Sequence, residues 1–159
     1  MMRLILFVLF LFLILLFFFA FISYRHIKTQ QSVAQSEYLN GKVPAPLPDG
    51  LMKGSIDGPK VSWQGKKFDQ KTTTGINLFK QKDGTVKELY PFKTYVGKGA
   101  VDTQLDTLKI DYDIPENPLW LRFILDEIVE VEPGKYLGKV FLRLSPNVSF
   151  ALGYFRLEN

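Results

Sequence analysis

Asp126 and Glu127 interrupt an apolar run, with Phe123-Ile124-Leu125 before them and Ile128-Val129 after. In a strand, successive side chains point to opposite faces. Glu127 then shares a face with Leu125, Val129 and Val131, and Asp126 shares one with Ile124, Ile128 and Glu130. One carboxylate of the two must point toward the apolar side. Burial there raises a carboxyl pKa, which suits a general acid or base or a holder of a ligand's polar group. The plainer reading pairs Glu127 with Arg156, Arg122 or Arg143, fixing register without chemistry. Five tyrosines, Tyr90, Tyr95, Tyr112, Tyr136 and Tyr154, either line a cavity with their hydroxyls or pack in a wall with the hydroxyl at the rim. Trp63 is expected as a core plug at a closed end. The candidate ligand-contacting set is therefore Glu127, Tyr112, Trp63, Tyr136 and Arg156, with no catalytic residue assigned.

Other chemistry is excluded by what the chain lacks. It has no Cys, so disulfides, thiolate nucleophiles and Cys-based metal sites are out. Its single His, His26, lies beside the apolar N-terminal run, so neither a Ser-His-Asp triad nor a multi-His metal site fits the remainder. No metal or cofactor is expected. Asp111, Asp113 and Glu116 lack the spacing and glycine turn of a calcium loop, and are expected as a solvated strand end. Asn147-Val148-Ser149 matches a glycosylation acceptor.

These residues need a frame, and the 159-residue chain divides unevenly to provide it. Leu4 to Ile22 carries no polar side chain and holds half of the 14 Phe. As a helix rising ~1.5 Å per residue, this run matches the ~30 Å hydrocarbon core of a bilayer. It is longer than the apolar stretch of a secretory signal, and Ser23-Tyr24-Arg25-His26 is poor cleavage chemistry. Residues 1–28 are thus expected as a transmembrane signal anchor with the bilayer as partner. A cleaved signal, cut near Ser32-Val33-Ala34, is the alternative. Arg3 on one flank nearly balances Arg25 and Lys28 on the other; the reading leans to a C-terminal domain on the non-cytoplasmic side. Residues 29–48 read as a polar, proline-rich linker. Its Val43-Pro44-Ala45-Pro46-Leu47-Pro48 favours a polyproline II stalk over a docking motif.

Residues 49–159 alternate short β-rich runs with turn signals such as Asp57-Gly58-Pro59, Asp83-Gly84 and Pro133-Gly134. The predicted strands are 60–68, 74–81, 85–96, 105–113, 122–132, 135–144 and 149–158. A short helical turn is expected at 117–121, capped by Asn117. Apolar residues on both faces of 149–158 imply that this strand is covered twice. Seven or so antiparallel strands must hide their edges, and an up-and-down barrel with room for a small ligand does so. A sandwich is the alternative. Residues 41–100 hold 11 Lys against 5 acids, whereas 101–159 hold 6 basic residues against 10 acids. The Lys are scattered, so the halves are expected to neutralise each other. No nucleic-acid partner is expected.

Trp63-Gln64-Gly65-Lys66-Lys67-Phe68-Asp69, a short way after Gly54, resembles the W-x-G-K-x-F element of the GXWXG-type proteins, which are small calycin-like, lipocalin-like β-barrels. Tyr112-Asp113, Arg122, Tyr136-Leu137-Gly138 and Tyr154-Phe155-Arg156-Leu157 resemble that group's spaced partner segment. The first G-x-W is replaced here, since Ser55-Ile56 follows Gly54. The resemblance, over about 54–158, implies a barrel and carries no agreed activity. The expected function is a membrane-tethered barrel that binds an apolar or amphipathic, lipid-like small molecule. The alternatives are a carboxylate- and tyrosine-dependent isomerase, cyclase or hydrolase acting on a hydrophobic substrate, and a structural accessory domain with a filled barrel.

Overall fold

Eight antiparallel strands close into one barrel in simple chain order. The computed structural model describes residues 1–56 and 61–159. The long apolar helix α1 (Met2–Gln30) and a short α2 (Val33–Asn40) precede the strands. The strands are β1 (Gly50–Ser55), β2 (Trp63–Asp69), β3 (Thr74–Lys80), β4 (Val86–Lys98), β5 (Asp106–Asp111), β6 (Ile124–Glu132), β7 (Lys135–Ser145) and β8 (Val148–Glu158). β8 returns to pair with β1, so no edge is left unpaired. This settles the barrel over the sandwich. The expected turn at Asp57-Gly58-Pro59 and the start of the strand at 60 lie outside the described residues.

The sequence reading missed two elements. β1 reads Gly-Leu-Met-Lys-Gly-Ser and has little β-branched character. α2 falls inside the expected linker, and its Tyr38 is fully buried against Val129 and Leu137 on the outer barrel wall. The proline-rich strip also lies against the barrel: Pro44 and Pro48 are buried, Leu47 packs on the interior core, and the Ala45–Pro46 peptide is cis. The helical turn falls at Leu121–Phe123, not 117–121. Asn117 holds the preceding loop instead, its Nδ2 donating to the Pro91 and Tyr112 carbonyls.

The barrel wall is packed on both sides, with one apolar cluster inside and two outside among the described residues. Met52, Phe68, Phe92, Ile110, Ile128 and Leu157 fill the interior. Outside, Leu125, Phe141 and Ala151 are buried under Ala100 and Val101 of the β4–β5 loop.

α1 docks on β8, giving this strand its expected second cover. The register shift between Val140 and Phe141 skips Leu152, which is a β-bulge. Bulging turns backbone groups out of the ladder, and α1 supplies partners for them. Nε of Arg25 donates to the Leu152 carbonyl at 3.1 Å, and the Ala151 amide donates to Nδ1 of His26 at 3.0 Å. Phe19 meets Phe150 edge-on with ring centroids 5.7 Å apart. α1 therefore runs alongside β8 in the same direction. Only Val148 and Ser149 precede Phe150 in β8, while roughly 25 Å of helix precedes Phe19. That length extends past the barrel end carrying the β1–β2, β3–β4, β5–β6 and β7–β8 connections.

Candidate functional site

A cavity of about 240 Å³ opens toward this same end of the barrel. Its floor is polar and its walls are apolar. Trp63 and Lys66 reach it from β2, Asn77 from β3 and Asp126 from β6, with Tyr112 coming from just past β5. Ile56, Phe79, Tyr90 and Trp120 stand toward the mouth.

A β-bulge at Gln64 brings Trp63 and Lys66 to the same side. The register skips from Trp63 to Gly65, and Gly65 sits at φ +131, a conformation that suits glycine. Beyond the bulge Lys66 and Phe68 point inward, and Trp63 remains inward before it. Trp63 is thus a wall of the cavity on the mouth side rather than a plug at the closed end. Its ring packs edge-on against Phe155, and a Cβ on Gly54 would run into it. A second register shift, after Ile76, skips Tyr90, a non-glycine residue at φ +59. Pro91 follows and has no amide to give the ladder. The freed Tyr90 carbonyl accepts from Nδ2 of Asn77 at 3.0 Å. The Tyr90 ring packs on Trp120 and Phe79 at the mouth.

Lys66 is the centre of the floor. Its Nζ donates to Oδ1 of Asn77 at 2.9 Å, to Oδ2 of Asp126 at 3.0 Å and to the Tyr112 hydroxyl. Four aromatic rings, of Trp63, Phe92, Tyr112 and Phe155, surround the ammonium at 5.1–5.5 Å. Such rings favour a cation over their faces. Burial lowers the Lys66 pKa, and the Asp126 carboxylate opposes that shift. Burial also holds the Tyr112 hydroxyl well above its usual range, and the neighbouring Asp126 adds to this. Tyr112 donates to Oδ2 of Asp126 at 3.1 Å or to Oδ1 of Asn77 at 3.3 Å, and Trp63 Nε1 donates to Oδ1 of Asn77 at 3.1 Å. Among the described residues, no hydrogen bond reaches Oδ1 of Asp126, although Asp126 lines the cavity.

Of the expected contact set, Trp63 and Tyr112 meet in this cavity, and the other three lie elsewhere. Glu127 faces outward and is fully buried under α2 and the β4–β5 loop. Its partners are not arginines. Oε1 accepts from Lys109 and from the Ala100 amide, and Oε2 accepts from the Tyr38 hydroxyl at 2.9 Å. Lys109 stands directly opposite Glu127 in the ladder, which explains the choice. Tyr136 belongs to the interior core toward the other end, in a row with Leu157. Arg156 points outward and clamps α2 through a two-pronged pair with Glu37, both contacts 2.7 Å. Asp111, expected to be solvated, is buried against Arg143.

Sequence reading missed Lys66, Asn77 and Lys139. Lys139 is fully buried outside the barrel, bound to Asp102 at 2.8 Å and to Gln35 of α2 at 2.7 Å. Among the described residues, no cluster of three His, Cys, Asp or Glu side chains is placed to hold a metal ion.

No family model matches the chain, and no curated protein matches it. The chain is similar to a crystal structure of a protein from Thermomonospora curvata, with a TM-score of 0.53 and 19% identity, covering 80% of this chain and 87% of that one. At that identity the likeness speaks to the fold alone.

Proposed function

We propose that this protein is a membrane-tethered barrel that receives an apolar or amphipathic small molecule from the bilayer through its mouth. One observation carries the reading: the cavity opens at the barrel end from which the apolar helix projects. With Leu4 to Ile22 across the hydrocarbon, Phe19 lies about 5 Å inside its C-terminal edge. Phe150, which packs on Phe19, is then at the same depth, so the mouth is sunk into the near side of the bilayer. The rim suits that place, because Ile56, Leu119, Trp120, Phe123, Leu144 and Val148 are all exposed there. Trp near the headgroup level and exposed large apolar side chains are both features of membrane-contacting surfaces.

The cavity falls just below the ~300–1,000 Å³ of drug-sized pockets. It suits one end of a slender amphiphile, with the remainder left in the lipid. The resemblance of Trp63 to Phe68 to the GXWXG-type barrels belongs to the same reading, since that segment forms the cavity wall and floor. We place the barrel on the non-cytoplasmic side, which protease protection in oriented vesicles tests.

Native mass spectrometry of the full chain extracted in mild detergent tests the binding. A co-purified small amphiphile that is lost on filling the cavity by Val140→Trp is the expected result. A barrel that purifies empty and takes up no added amphiphile sinks the proposal and favours a structural domain. A second reading, proton-transfer catalysis on the bound molecule, is supported by the Tyr112 hydroxyl held between Lys66 and Asp126 in a cleft with perturbed proton affinities.

A further inference from the structure

The floor of the cavity has an uneven hydrogen-bond account. Every donor is committed. The three Lys66 protons go to Asn77, Tyr112 and Asp126. The two amide protons of Asn77 go to the Tyr90 carbonyl and the Tyr112 hydroxyl, and the Trp63 indole donates to Asn77. The Tyr112 proton goes to Asp126 or Asn77. One acceptor remains: Oδ1 of Asp126 takes no hydrogen bond from the described residues, while Oδ2 takes two. The Asp126 side chain is 6% exposed, and Oδ1 is not sealed in: it keeps contact with the cavity space. A carboxylate oxygen that faces cavity space with no protein donor is open to a ligand's donor, which gains a charge-assisted bond there.

We propose that the cavity selects an uncharged amphiphile bearing a hydroxyl, which donates to Oδ1 of Asp126 while its chain fills the apolar wall. This rests on the barrel being a binder and specifies what it binds. A fatty carboxylate is disfavoured twice: it finds no free donor and sits against the Asp126 charge. An alkylammonium can also donate to Oδ1, but it gives up its hydration beside a Lys66–Asp126 pair that is already neutral, which costs more than the one bond returns. An ether or alkane of equal length leaves Oδ1 unpaired.

The test uses the full chain in detergent with an equimolar mixture of n-decanol, methyl nonyl ether, decanoate and decylammonium, with occupancies read by native mass spectrometry. Decanol is expected to exceed each of the others by about tenfold or more, the difference one hydrogen bond to a charged acceptor makes. Asp126→Asn should erase most of the preference for alcohol over ether. If the ether, the acid or the amine binds as well as the alcohol, the barrel is a binder but this selectivity is wrong. If a folded Asp126→Asn keeps the full preference, Asp126 is not the partner and the proposal falls. Should that variant fail to fold, the wild-type ranking decides. If none of the four binds, the binding reading itself fails, and this inference with it.

Discussion

Lys66 and Asp126 meet across the barrel interior at 3.0 Å, with side chains only 2% and 6% exposed. They come from β2 and β6, which are far apart around the wall. The pair therefore ties opposite sides of the barrel through its centre. Removing one partner of such a pair leaves a desolvated charge, whereas replacing both with apolar groups is often harmless.

Lys66→Met is expected to cost about 3–5 kcal/mol by denaturant unfolding. Lys66→Met/Asp126→Leu should recover much of that loss while abolishing any preference among ligands. If the costs of Lys66→Met and Asp126→Leu measured singly simply add in the double variant, the pair is not coupled.

Glu127→Gln should also destabilise by about 3–5 kcal/mol, because Lys109 loses its buried counter-charge. Glu127 faces away from the cavity, so ligand occupancy of the surviving folded fraction should equal wild type. A drop in occupancy at unchanged melting temperature would place Glu127 in the binding machinery.

Gly54→Ala should cost about 1–3 kcal/mol through overpacking, since the new methyl meets the Trp63 ring and Gly65. Pairing it with Trp63→Leu makes room and should return most of the stability. Melting curves of the single and paired variants provide the check.

Asp111 links stability to acid. Burial raises its carboxyl pKa, but hydrogen bonds from Arg143 and the Asp113 amide outweigh that and hold it below the usual value. A depressed native pKa gives stability that is complete above the unfolded value of ~3.9 and is lost as pH falls through the native value. Unfolding free energy should therefore drop below about pH 4, and more steeply in wild type than in Asp111→Asn. Parallel curves for the two proteins would remove Asp111 from the account.

Trp120 tests the membrane contact. In Trp63→Phe, Trp120 is the sole indole. Reconstituted in bilayers, its emission should be quenched by lipids brominated near the headgroup more than by aqueous iodide. The reverse order would lift the mouth clear of the membrane.

Much of the barrel was legible because turn residues and period-2 runs mark six of the strands to within two residues. The site was less so, and two local devices explain why. Strict alternation from Trp63 puts Lys66 on the opposite face. The bulge at Gln64, allowed by Gly65, cancels that alternation, and nothing in the residue types alone locates it. Alternation places Glu127 with Leu125 and Val129 correctly, but an apolar face need not be an inner one. Here the outer wall is apolar too, because α2 and the β4–β5 loop cover it. α2 was hidden by its short, polar sequence, in which Tyr38 is the one large residue fit to anchor it.

Arg25 and His26 grip the β8 bulge from consecutive positions on α1, and Phe19 grips Phe150 two turns earlier. With three attachments along one line, the barrel cannot swivel on its tether as a bead on a string would. Helix and barrel move as one lever. On the proposed membrane reading, a bilayer thinner or thicker than α1 changes the helix tilt, as hydrophobic mismatch does for any spanning segment. Here that tilt also pitches the barrel, raising one side of the mouth and sinking the other. Bilayer thickness would then set how readily the cavity exchanges its contents with lipid.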